Sequence, residues 1–163
     1  MLLRRPAVGA VIWLAATGAL LAGCRVRLVA DYDRVLDRGV TNLHKKTAAF
    51  WIDMERKAGT EAGTYAPNTA FYDDARVAVE SLRLRAAATP KNELTVRQLD
   101  LLAKNFELLA EIHRAQSEPD DAGRIPGLDA DVVAAVRANM DVQFGAILRL
   151  EIAKKRTGSG SKG

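Results

Sequence analysis

The sequence predicts an all-α fold: an antiparallel four-helix bundle, up-down-up-down, after a cleaved signal peptide. Three observations carry this expectation. Four segments repeat apolar residues at three- and four-residue spacing, the mark of helices with one buried face. The connectors between them are rich in proline, glycine, asparagine and aspartate, which form turns. No strand-like alternation of useful length and no fixed-period repeat occurs in the 163 residues.

The chain opens "MLLRRPAVGAVIWLAATGALLAGC". Arg4 and Arg5 precede an uncharged apolar run from Pro6 to Gly23 that ends in small residues. A positive start, an apolar centre and a small-residue end form the layout of a secretory signal, so residues 1–23 are read as a signal peptide. The run falls short of the roughly 20 apolar residues that span a bilayer, and Pro6 and its glycines weaken it as a membrane helix. Cys24 is the only cysteine of the chain, so no disulfide within it is available and apolar packing must hold the fold.

Leu21-Ala22-Gly23-Cys24 resembles the lipobox of bacterial lipoproteins. The resemblance implies cleavage before Cys24, a diacylglycerol on its sulfur and a further acyl chain on the freed amino group. One acyl chain binds a membrane only marginally, at about 0.8 kcal/mol per buried methylene, and two or three make the anchor stable. Residues 24–30 are then a lipidated tether. Arg25 stands where aspartate retains enteric lipoproteins in the inner membrane, so the analogy favours the outer membrane, periplasmic side.

Without residues 1–23 the chain has 140 residues, enough for one domain with its own core. It carries 22 basic against 20 acidic side chains, and residues 31–153 carry 16 against 20. The body is mildly acidic and both ends are basic.

The bundle is expected over residues 31–156. Helix one, about Asp33 to Lys57, has the stripe Leu36, Val40, Leu43, Thr47, Phe50 and Met54. Helix two, about Thr69 to Ala88, has Tyr72, Ala75, Val79, Leu82 and Ala86, with Asn68 or Thr69 to cap it and Asp73 and Asp74 suiting its positive end. Helix three, about Val96 to Gln116, has Leu99, Leu102, Phe106, Leu109 and Ile112, and "TVRQ" at Thr95–Gln98 reads as a capping box. Helix four, about Ala130 to Lys155, has Val133, Val136, Met140, Phe144 and Ile147, with Asp129 at its start and Lys154, Lys155 and Arg156 at its negative end. Residues 157–163, "TGSGSKG", are read as a flexible polar tail.

Helices of about 20 to 26 residues reach roughly 30 to 39 Å. An even helix count puts both termini at one end, so Lys154, Lys155, Arg156 and Lys162 would lie beside the lipid and contact the membrane surface. Basic residues near anionic headgroups are worth about 1 kcal/mol each. The alternative is solvated charge that only keeps the tail disordered.

The search for chemistry finds little. His44 and His113 keep helical spacing at the edge of apolar stripes and are weak candidates for a metal or haem site, but their heights along parallel helices should differ by about 9 Å. No Glu-x-x-His pair and no Cys-x-x-Cys-His occurs. Glu107 with Glu111, and Asp73 with Asp74, are carboxylate pairs of ordinary surface type; Lys104 and Arg114 can neutralise the first two. There is no Gly-x-Ser-x-Gly, no phosphate-cradling loop and no continuous basic face for nucleic acid. Accordingly no catalytic residue, no metal and no cofactor beyond the covalent lipid on Cys24 is expected.

Surface aromatics remain. Tyr65 in the long loop Ala58–Asn68, with Phe71 and Tyr72 after it, forms a candidate partner-binding region at the end far from the membrane. Tyr65 can equally tuck back over the bundle end. "DYD" at Asp31, "FYDD" at Phe71, "PKNELTVRQLDLL" at Pro90 and "AILRLEIAKKR" at Ala146 resemble stretches of small helical lipoproteins of Gram-negative bacteria. That resemblance implies a compartment and a fold, and no activity. The expectation is a lipid-anchored periplasmic bundle that is not an enzyme and binds or adapts an envelope protein. The alternative is a small-ligand, metal or haem binder that uses the bundle interior.

Overall fold

The fold is seen in a computed structural model that describes residues 29–121, 123 and 127–159. Among them four α-helices occur and no strand: α1 (Arg34–Lys57), α2 (Thr69–Ala87), α3 (Glu93–Ala115) and α4 (Ala130–Ser159). Two short 3₁₀ turns, Glu61–Gly63 and Ala66–Asn68, lie in the connector between α1 and α2. The expected signal peptide, the lipidation residue Cys24, Arg25 and Lys162 lie outside the described residues.

The helices form where the spacing places them, because each stripe is buried apart from Ile112 and Val136, which are half-buried. All six stripe residues of α1 and all five of α2 are buried, and Trp51 joins them. Leu99, Leu102, Phe106 and Leu109 of α3 meet Val133, Met140, Phe144 and Ile147 of α4 in the same core. Fully burying one such side chain contributes about 1.5–3 kcal/mol, so the shared core outweighs the weak intrinsic stability of any single helix. Each helix packs on its neighbour in sequence, and α4 packs back on α1. At Gly39 the approach of α1 and α2 is so close that a Cβ would stand 2.5 Å from Leu82 Cδ2. No helix among the described residues is long and apolar enough to cross a membrane.

Aspartates cap two starts, at Asp129 as the sequence suggests and at Asp33 as a further finding. Asp33 accepts hydrogen bonds from the amides of Val35 (2.8 Å) and Leu36 (3.2 Å). Asp129 does the same for Asp131 (2.9 Å) and Val132 (3.1 Å). At the other two starts the expectation is corrected. Asn68 precedes α2 but its amide nitrogen donates backward, to the carbonyls of Ala62 and Thr64, and so ties the loop rather than the helix. The "TVRQ" box does not cap α3, which begins earlier, at Glu93. Thr95 is buried inside its first turn, where its hydroxyl accepts from Lys154. The last helix also runs past Lys155 to Ser159, taking in Thr157, whose hydroxyl donates back to the Lys154 carbonyl.

Polar contacts gather the helix ends into two groups. In the first, the Ala30 amide donates to the Lys91 carbonyl (3.1 Å), and the Arg85 guanidinium grips Asp33 at 2.6 and 3.0 Å. Burial pushes the Asp33 carboxyl up, but Arg85 and the two capping amides outweigh it and hold it below its ordinary range. In the second, the Tyr65 amide donates to Ser117 Oγ (2.7 Å) and the Asp129 amide to Gln116 Oε1 (3.1 Å).

Candidate functional site

Among the described residues three places carry more than apolar packing. The first surrounds His113, which the spacing puts at the inner edge of α3 and which is 0 % exposed. Its Nε2 lies 2.8 Å from the Gly63 carbonyl and its Nδ1 2.7 Å from the Tyr72 hydroxyl. A carbonyl only accepts, so Nε2 carries the proton, Nδ1 accepts, and Tyr72 donates. Burial pushes the imidazole's pKa down, against the smaller upward pull of the Gly63 carbonyl, and pushes the Tyr72 hydroxyl's up. Both groups are therefore neutral at pH 7, and both ring nitrogens are already engaged.

This cluster absorbs the aromatics expected at the surface. Tyr72 is 3 % exposed, which corrects its assignment as a partner contact: its hydroxyl serves His113 and its ring packs on Phe50, Phe71 and Tyr65. Phe71 lies flat on Phe50, with ring centroids 3.8 Å apart, and keeps one side half-buried. Tyr65 covers the His113 and Tyr72 rings, while Arg114 stacks over it at 4.4 Å and donates to its hydroxyl at 2.9 Å. Tyr65 thus tucks back over the bundle end.

The second place is a buried ionic cluster where α1 begins and α4 ends. The Lys154 ammonium donates to Asn92 Oδ1 (2.6 Å), Thr95 Oγ1 (2.8 Å) and Glu151 Oε1. Glu151 Oε2 accepts from the Asp33 amide (3.2 Å). Glu151 is 0 % and Lys154 3 % exposed. The placement of Lys154 at the membrane surface is therefore corrected: all three of its N–H bonds point into the protein. Lys155 and Arg156 are exposed, with Lys155 5.5 Å from the Tyr32 ring centroid.

The third place went unrecognised in the sequence. A groove of about 550 Å³ runs between the end of α1 and the start of α4. Met54, Ala58, Leu128, Val133, Ala134 and Ala138 give it apolar walls, and it carries Glu55, Arg137 and Asp141. Arg137 reaches Glu55 at 3.5 Å, and His44 Nε2 lies 3.1 Å from Asp141 Oδ1 with its ring edge-on to Phe144. The alanines at 130, 134 and 138 are the signal that could have found it: small residues one turn apart leave a trough where longer side chains would fill the interhelix space.

His44 and His113 serve different partners and do not converge on one centre. Among the described residues no three His, Cys, Asp or Glu side chains gather as a metal site. The chain matches no protein-family model, and no curated protein or solved structure matches it.

Proposed function

We propose that the protein is a lipid-anchored, non-catalytic binding module, held through Cys24 on the periplasmic side of the membrane, with the outer membrane favoured. It offers its α1–α4 groove to an envelope protein. The observation that carries the binding reading is that groove: an apolar trough with charges of both signs, the composition of a recognition surface with an apolar centre and a polar surround. The bundle is read as up-down-up-down. The grouping of the α1 start, the α2–α3 connector and the α4 end supports this reading, because it places both ends of the described chain together.

The groove lies at the opposite end of α1 from that grouping, facing away from the anchor, as an adaptor needs. The ligand-binding alternative has less support, since both ring nitrogens of His113 already have protein partners. A photo-crosslinking residue at the exposed position Ala138 tests the proposal in cells. One envelope protein should be captured, and Ala134→Arg, which fills the groove, should abolish capture while leaving the helical spectrum unchanged. No specific capture, or capture indifferent to Ala134→Arg, would overturn the groove as the binding site.

A further inference from the structure

Charge is segregated along the long axis of the bundle. With each helix divided at its midpoint, the half containing the α1 start, the α2–α3 connector and the α4 end (residues 29–45, 79–104 and 144–157) holds 12 basic and 7 acidic side chains. The other half (46–78, 105–121 and 127–143) holds 6 basic and 13 acidic. One half is net +5 and the other net −7.

Pairing leaves the net charge of the basic half unchanged and its surplus cations at the surface. Most carboxylates of the basic half are engaged by neighbours: Asp33 by Arg85, Asp37 by the Tyr32 hydroxyl, Glu80 and Asp100 by Arg83, and Glu151 by Lys154. Meanwhile Arg34, Arg38, Arg97, Arg149 and Lys155 are exposed there. We infer that the basic end of the bundle is a docking face for an anionic phospholipid surface, which stands the bundle on the membrane with its acidic end and groove outward. This rests on the reading of Cys24 as the anchor.

Chain length and screening both favour that posture. The backbone is fastened to the bundle at Ala30, six residues after Cys24, so the tether reaches at most about 20 Å. The 30-residue α4 is about 45 Å long, several times the roughly 8 Å Debye length at physiological salt. The membrane therefore attracts the near, basic end without the far, acidic end cancelling the attraction.

The test uses the full chain, purified with its lipid and reconstituted in vesicles of phosphatidylcholine alone or with phosphatidylglycerol. Mass spectrometry first reports the lipid on Cys24, so failure of the anchor reading is seen separately from failure of docking. A fluorophore is attached at Leu94→Cys, on the basic end, or at Ala66→Cys, on the acidic end, and its quenching by a headgroup acceptor is measured. On anionic vesicles at low salt the label at 94 should be quenched at least about twofold more than that at 66, and the difference should shrink toward the phosphatidylcholine value at about 0.5 M salt.

Arg97→Glu with Lys155→Glu should remove the salt-sensitive part. Lys46→Glu with Arg76→Glu, the same charge change in the other half, should leave it in place. Equal quenching at both positions, a difference identical on neutral vesicles, or insensitivity to the Arg97 and Lys155 substitutions would overturn the inference.

Discussion

Replacing Lys154 by methionine removes a cation from the most demanding polar site among the described residues. The ammonium has three N–H bonds, and Asn92, Thr95 and Glu151 take all of them, so nothing is left for water. Methionine keeps the unbranched stem and loses the charge. Glu151, 0 % exposed, then holds a carboxylate with only the Asp33 amide for a partner. Breaking one side of a buried pair costs about 3–5 kcal/mol, a large share of the 5–15 kcal/mol that holds a typical domain together. For a bundle of this size that is a fall of roughly 10 to 20 °C in Tm.

Urea unfolding followed by circular dichroism measures the loss directly, with an unchanged slope showing that the folded state is otherwise intact. The double variant Glu151→Leu with Lys154→Met removes both charges. Both variants leave the Asn92 side-chain carbonyl and the Thr95 hydroxyl short of one partner, and the double variant also strands the Asp33 amide, at about 1–3 kcal/mol, which is less than the cost of the unpaired carboxylate; it should therefore be more stable than Lys154→Met alone, with a coupling of about 2 kcal/mol or more. A Lys154→Met loss under about 1 kcal/mol, or strictly additive variants, would refute the ionic account of this end.

Gly63→Ala would set a Cβ 2.3 Å from the Lys57 carbonyl oxygen, which is backbone and cannot turn aside. It should cost about 1–3 kcal/mol in a thermal melt, whereas Gly145→Ala, with only Arg149 side-chain atoms at 3.5 Å and beyond, should stabilise α4 by about 0.5–1 kcal/mol. His113 should make stability fall with acid. Its folded pKa is depressed, so the unfolded chain binds the extra proton first; this part of the stability is fully present above the ordinary 6.5 and is lost as pH falls below it toward the depressed value. Denaturant midpoints across that range should show the slope, His113→Gln should flatten it, and Tyr72→Phe should lower stability by about 1–3 kcal/mol by leaving Nδ1 without its donor.

The helices were legible because apolar periodicity reports burial, and burial is what forms them here. α1 and α2 begin and end within a residue of where their stripes and connectors put them. What misled was polar side chains whose partners come from elsewhere in the chain. Thr95 has the local look of a cap, but its hydroxyl answers to Lys154, 59 positions away. Lys154 reads as a surface cation in a basic run, yet Met140, Phe144, Ile147, Glu151 and Lys154 continue one stripe at four-, three-, four- and three-residue spacing, so the period already aimed both ionic residues inward. Tyr72 belonged at once to the apolar stripe of α2 and to the proposed contact region, and only the stripe could hold.

The two buried polar clusters sit where the helices end, and that location has a physical reason. Leucine, valine and methionine side chains in the middle of the core tolerate sliding and repacking at modest cost, so apolar stripes alone specify alignment weakly. A helix shift of one turn, about 5.4 Å, would carry Lys154 away from Asn92 and Thr95 and, at the other end, His113 away from Gly63, stranding buried donors and acceptors. The clusters therefore penalise wrong alignments more than they favour the right one, at both ends at once. The His113 cluster also binds the α1–α2 connector to α3, beside the end of α1 that lines the groove. A groove assembled from two helices keeps its shape only if their relative height is held to a fraction of a turn, and these contacts are placed to hold it.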